Sequence, residues 1–183
     1  MGKLFKEAKD WENESFIRKN DNKWLYYSEG YKIAAELIEQ ELITKLESRD
    51  FLIYPLIYLH RHYLELKLKE IIVEGNCIIG AKDFLPKGGH NLINLWKESL
   101  EILHLVWGDD FKIPAVTIEN KIKELHNADV KSDGFRYPID KDGEENLKSV
   151  QKINYRNFRD EFLEIKYFIE GVTDGLYATK DFI

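Results

Sequence analysis

Cysteine occurs once in this 183-residue chain, at Cys77, so the chain can build neither an intrachain disulfide nor a thiolate metal cluster. A lone cysteine beside Ile78 and Ile79 reads as an inert, buried thiol. Long hydrophobic runs are missing too. Nothing approaches the roughly 20 apolar residues that cross a bilayer, which argues against a membrane partner. The opening stretch MGKLFKEAKDWENES is charged and has no apolar segment, so it does not read as a secretory signal and the expected location is cytoplasmic. Lys6 stands where a myristoylation signal needs Ser or Thr, which discounts that lipid anchor. An excess of positive charge is also absent. With 33 acids against 27 bases the formal charge is −6, so the chain has no global attraction for nucleic acid. Any RNA or DNA binding must come from a local basic patch working against that mean field.

The common catalytic and cofactor motifs are lacking as well. His60 and His62 are two residues apart, and on a helix they point about 200° away from each other, too far to share an ion. No His-Glu-x-x-His and no histidine pair four apart is present, and His104 and His126 are isolated, so no metal site is expected. A glycine-rich phosphate loop ending in Lys-Ser/Thr is absent, and no other cofactor is implied. The serines sit in no strand-to-helix turn of the kind that exposes a nucleophile. Repeats and low-complexity tracts are also missing.

What the chain does have is helical periodicity. Residues 1–22 are polar and mixed in charge, and read as an arm or short helix laid on a single helical-bundle domain spanning 23–183. The first helix is expected over 24–46, with Tyr27, Tyr31, Ala35, Ile38 and Leu42 on one face and Glu, Lys and Gln on the other. A second covers 52–74, with Pro55 near its start and Gly75-Asn76 as its stop. Its apolar stripe is Leu52, Leu56, Leu59, Tyr63 and Leu66, widened by Leu68, Ile71 and Ile72. A glycine-rich connection, 75–89, leads to a third helix over 91–106, and a fourth follows over 114–128 with proline in its first turn. Residues 129–154 are irregular, with turn signals at Asp133-Gly134 and Asp142-Gly143, and Val150 and Ile153 are compatible with a short extended piece. In the last helix Phe158, Phe162, Ile165, Ile169, Val172 and Leu176 step by 4, 3, 4, 3, 4. Five helices with short links predict an all-α, up-and-down bundle whose core is rich in aromatic rings.

Three constellations stand out from this frame. On the second helix Tyr58, Arg61, His62, Glu65 and Lys69 share a face, making a titratable stripe beside the apolar one. Its plainest explanation is a solvated face with an Arg61–Glu65 pair. In Gly88-Gly89-His90-Asn91 a helix opens, and its free N–H groups favour an anion, although Asn91 as a simple N-cap is the preferred account. In Asp133-Gly134-Phe135-Arg136-Tyr137-Pro138 an arginine is flanked by rings at a pre-proline turn, where a bond to helix C-terminal carbonyls or to Glu65 would account for it.

In this order these pieces resemble the HEPN-like superfamily of helical domains (higher eukaryotes and prokaryotes nucleotide-binding). The run Tyr58-Leu59-His60-Arg61-His62-Tyr63-Leu64-Glu65-Leu66-Lys67-Leu68-Lys69-Glu70 is similar to the basic-amphipathic long helix of that superfamily. His90-Asn91-Leu92-Ile93-Asn94-Leu95 matches its His-Asp/Asn-Leu-x-x-Leu helix start, and Arg136-Tyr137-Pro138 its turn ahead of the final helix. The likeness covers about residues 25–177. It implies a bundle that commonly forms homodimers and works in toxin–antitoxin, anti-phage or RNA-processing systems, with RNA, a nucleotide or a partner protein as ligand. Active members are metal-independent ribonucleases that use an Arg followed, after four to six residues, by a His. Here none of Arg18, Arg49, Arg61, Arg136, Arg156 and Arg159 has a His at that distance. The expectation is therefore a non-catalytic or degenerate binding module, with His62, Arg61, Glu65, His90, Asn91, Arg136 and Tyr137 as binding residues. A ribonuclease with a displaced site and a structural helical subunit are the alternatives. Convergence of His62, His90, Arg136 and Glu65 in one place would favour a functional site.

Overall fold

The computed structural model describes residues 11–17, 23–108 and 112–182, without the side chains of Trp11 and of 112–114. Five helices carry the fold: α1 (Lys23–Thr44), α2 (Arg49–Ile78), α3 (Leu92–Trp107), α4 (Lys112–Ala128) and α5 (Tyr155–Asp181). Short 3-10 turns lie at Trp11–Asn13 and Leu46–Ser48. Of the expected arm, Trp11–Asn13 is a single turn, and most of 1–22 lies outside the described residues. The only β feature among the described residues is an isolated bridge between Ile139 and Glu145, so Val150 and Ile153 form no strand.

At 30 residues, α2 is the axis of the bundle. Helices α1, α3 and α5 pack around it, and α4 closes the circuit by packing on α3 and α5. The main core joins Leu64, Leu68, Ile71 and Ile72 of α2 to Leu92, Leu95, Trp96 and Leu103 of α3, Ile118 and Ile122 of α4, and Phe162, Ile165, Ile169 and Leu176 of α5. A smaller core seats Ala35 and Leu42 of α1 against Leu56 and Tyr155. The 4-3-4-3-4 spacing in α5 is buried at every step except Phe158, which is half-buried, as an amphipathic stripe requires. Helix starts follow capping chemistry: the Asn91 side chain accepts from the Asn94 amide, and Asn154 accepts from Arg156 and Asn157.

Several expectations need correction. Helix α2 does not stop at Gly75-Asn76 but runs on to Ile78, because Gly75 serves packing. A Cβ there would overlap Ile102 Cγ2 of α3, so the glycine is what lets the two helices approach. The helix also starts earlier, at Arg49, so Pro55 sits in its second turn and withholds an amide hydrogen bond. Cys77, placed on the far side of that extra turn, is exposed rather than buried. On α1, Tyr27 points outward, and the side opposite Ala35 carries the exposed Tyr26, Ile33 and Leu37 rather than only charged residues. Among the described residues no helix is long and apolar enough to cross a membrane.

Two glycines in α1 and α2 separate packing from propensity. Gly75→Ala is expected to cost about 1–3 kcal/mol through overpacking against Ile102. By contrast Gly30→Ala, where an added Cβ meets nothing within 4 Å, should gain about 0.5–1 kcal/mol from helix propensity. Urea unfolding of the two variants checks the opposite signs.

Candidate functional site

The titratable stripe of α2 is not a solvated face. Arg61 is 0% exposed and Glu65 1%, so a full ion pair lies inside the protein, with Arg61 Nη1 3.4 Å from Glu65 Oε2. A buried carboxylate persists only when its oxygens are satisfied. Glu65 Oε1 accepts from Lys69 Nζ at 2.7 Å, one turn on, and from His90 Nδ1 at 2.8 Å, in the loop between α2 and α3. Burial pushes the Glu65 carboxyl up, but the hydrogen bonds and charges of Lys69 and His90 outweigh it and hold the group below the ordinary carboxylate range.

Arg61 does the corresponding work on the other side. Its guanidinium donates to the His90 carbonyl at 3.2 Å and to the Ser132 hydroxyl, tying α2 to the loops on either side of α3 and α4. Burial lowers its pKa, opposed by the charges of Asp129 and Glu65. Asp129 in turn organises the second loop: its Oδ1 accepts from the amides of Asp133 and Gly134, both at 3.0 Å. That turn sets up Arg136, whose Nε donates to the Ser132 carbonyl at 2.9 Å. The exposed Arg136 guanidinium lies over the rings of Tyr58 and Tyr137, 5.4 and 5.3 Å from their centroids. It therefore bonds neither Glu65 nor a helix C-terminus, and its aromatic neighbours are Tyr58 and Tyr137, Phe135 being buried in the core.

His62 completes the cleft. Its ring stacks on Tyr58 at 5.7 Å and meets the edge of Tyr31 of α1 at 4.3 Å. Burial lowers its pKa, so it is neutral at pH 7. His60 points elsewhere, bonded to Glu39 at 2.8 Å and packed on Phe162, so the two histidines diverge as their spacing requires.

The structure thus gathers Arg61, His62, Glu65, His90 and Arg136, with Tyr137 at the edge. Asn91 adjoins His90, but its side chain is committed to the α3 cap. The glycines before it are structural: Gly89 has φ +60°, and a Cβ on Gly88 would lie 2.8 Å from the Leu95 amide nitrogen. Two members escaped sequence reasoning: Tyr31 read as core, and nothing marks Ser132 except its place beside a turn. Tyr58 and Lys69 belong to the stripe read on α2 but were not among the expected binding residues. Among the described residues no group of three or more His, Cys, Asp or Glu is placed to hold a metal ion. The polar groups that face outward are His90, with 76% of its side chain exposed, Arg136, Tyr137 and parts of Lys69, Tyr58 and His62. Such a surface offers cationic donors and flat rings, which suits a ligand carrying both phosphate and an aromatic base.

No family model, curated protein or solved structure matches the chain.

Glu65 also sets a pH dependence. Its folded pKa is depressed, so the stability it contributes is full above its ordinary value of 4.5 and is lost as pH falls through the lower, folded value. Glu65→Gln should lower stability at pH 7 and flatten the acid limb of the curve below pH 4.5, as read from unfolding midpoints across pH.

Proposed function

We propose that this chain is a HEPN-like binding module that takes single-stranded RNA in the cleft between α1, α2 and the two loops, without cutting it. The observation that carries this reading is the pairing of exposed donors with exposed rings. His90 is held outward by a buried carboxylate, and Arg136 is held between two tyrosines. Fixing an arginine and a histidine on the surface costs side-chain entropy that a waiting anionic ligand repays, and stacked tyrosines accept any base. The missing Arg-x(4–6)-His spacing is the reason for reading the module as non-catalytic.

Fluorescence anisotropy with a labelled single-stranded RNA tests the proposal. Saturable binding that weakens with salt and drops by about tenfold or more in Arg136→Ala and in His90→Ala is expected. Equal binding by both variants would sink it.

One feature favours a second reading, a metal-independent ribonuclease with a displaced site. The Glu65–His90 bond fixes Nδ1 as the donor and leaves Nε2 to exchange a proton, with Arg136 nearby to offset phosphate charge. Incubation with cellular RNA in EDTA decides it. Cleavage that disappears in His90→Ala and Glu65→Gln would replace the binding reading, and intact RNA with folded protein would discard the nuclease.

A protein partner, in the first instance a second copy of the chain, is supported by the outward-facing Tyr26, Ile33 and Leu37 of α1. Sedimentation at rising concentration should show a dimer that Leu37→Glu dissociates, whereas a monomer throughout would refute it.

A further inference from the structure

Five arginines are described, and they divide into two groups. Arg61 and Arg159 each have a carboxylate partner, Glu65 and Asp160. Arg49, Arg136 and Arg156 have none within 4.0 Å among the described residues, although acids outnumber bases in the chain. All three unpaired arginines line one groove, of about 1120 Å³, bounded by the α1–α2 junction, the loop before α5 and the start of α5. Lys152 lines it as well, and Asp50 is the one acidic side chain on its walls.

Two of these arginines are set in place by one buried residue. Tyr155 anchors in the smaller core beside Leu42 and Leu56. The Arg49 guanidinium lies 5.0 Å over its ring, with Nε donating to the Leu42 carbonyl at 3.2 Å, and the adjacent Arg156 holds its phenol below the ordinary range. Holding guanidinium groups close together with no counter-charge is unfavourable by repulsion and by lost side-chain entropy, and a bound anion removes the first cost. Arg presents a planar fork that matches phosphate or carboxylate. Four cations against one acid favour the more highly charged of these, the phosphate monoester. Ile53, Tyr54, Leu147 and Ile153 give the wall an apolar and aromatic part beside the amides Asn146, Gln151 and Asn154, and its volume exceeds the roughly 300–1,000 Å³ of ordinary small-molecule sites, so a ring system fits beside the anion.

We infer that this groove is a separate binding site for a small phosphate monoester with an aromatic body, its phosphate held by Arg49, Lys152 and Arg156. It stands apart from the RNA cleft, sharing with it only the Arg136–Tyr137 rim.

The test uses 4-methylumbelliferyl phosphate, whose fluorescence reports binding, with the parent alcohol and inorganic phosphate for comparison. The ester should bind saturably, inorganic phosphate should displace it, and the alcohol should not bind. Lys152 and Arg156 are exposed, so the double variant Lys152→Gln/Arg156→Gln keeps the fold and should weaken binding by about tenfold or more, while His90→Ala leaves it unchanged. Absence of saturable binding, or equal binding by the double variant, overturns the site. Loss in His90→Ala would move the ester to the RNA cleft, and a single-stranded oligonucleotide bound through Lys152 and Arg156 where the ester is not would make the groove part of the nucleic-acid path. Either outcome also overturns the site, while failure of RNA binding alone leaves it standing.

Discussion

A carboxylate placed in the middle of the longest helix governs the candidate site. Glu65 is inaccessible to water, and a charge so placed must collect donors from whatever lies near it. One donor, Lys69, comes from the next turn of its own helix, but the others come from elsewhere or lead elsewhere. His90 arrives from the α2–α3 connection, and Arg61 reaches on to Ser132 in the loop that follows α4. The need to neutralise one group thus fixes two loops that local propensity leaves free. Removing one partner of such a buried pair typically costs about 3–5 kcal/mol, because the other is stranded. Arg136 never touches Glu65, yet its position depends on the same contacts, through Ser132 and the Asp129-capped turn.

The same principle recurs at the other end of α2. Glu70 accepts from Lys67, Ser28 of α1 and Tyr177 of α5, and Lys180 of α5 lies 2.8 Å from Glu74. Between them, Glu170 of α5 receives Lys32 of α1 and the hydroxyl of Tyr63. These polar bonds join the three helices where apolar packing alone tolerates sliding, so they set register more than they add stability. They also account for the weak amphipathicity of α2. A helix surrounded on most sides shows little contrast between its faces, and its charged residues from Arg61 to Glu74 sit inside or nearly so because each has a partner.

The architecture was legible because it rests on local signals. The stripe in α5 and the Asn91 cap of α3 depend on residues within a turn or two of each other, which sequence displays directly. The errors lie where a long-range contact overrules a local signal. Gly75 resembles a helix stop, but α3 claims it for close packing, and the added turn carries Cys77 into solvent. Glu65 looks like one half of a surface pair because burial on an all-round covered helix leaves no periodic trace. The residue types of the cleft were therefore readable, and so was their placement on α2. That His90 would close on Glu65, and that Tyr58 rather than Phe135 would flank Arg136, was set by loop closure and could not be read from spacing.

Charge distribution links the cleft and the groove. A chain with net charge −6 repels polyanions at long range, so anion recognition requires cations left unneutralised at short range. Most described lysines are consumed in pairs such as Lys121 with Glu161 and Glu164, or Lys166 with Glu36. Arg49 and Arg136, which escape pairing, are instead immobilised by neutral partners, a backbone carbonyl and a ring in each case, and Arg156 adjoins the phenol of Tyr155. A neutral partner orients a guanidinium without cancelling its charge, whereas a carboxylate does both. Orientation without neutralisation leaves a binding surface poised for an anion, and in this protein it occurs twice, at Arg136 beside Tyr58 and Tyr137 and at Arg49 and Arg156 beside Tyr155.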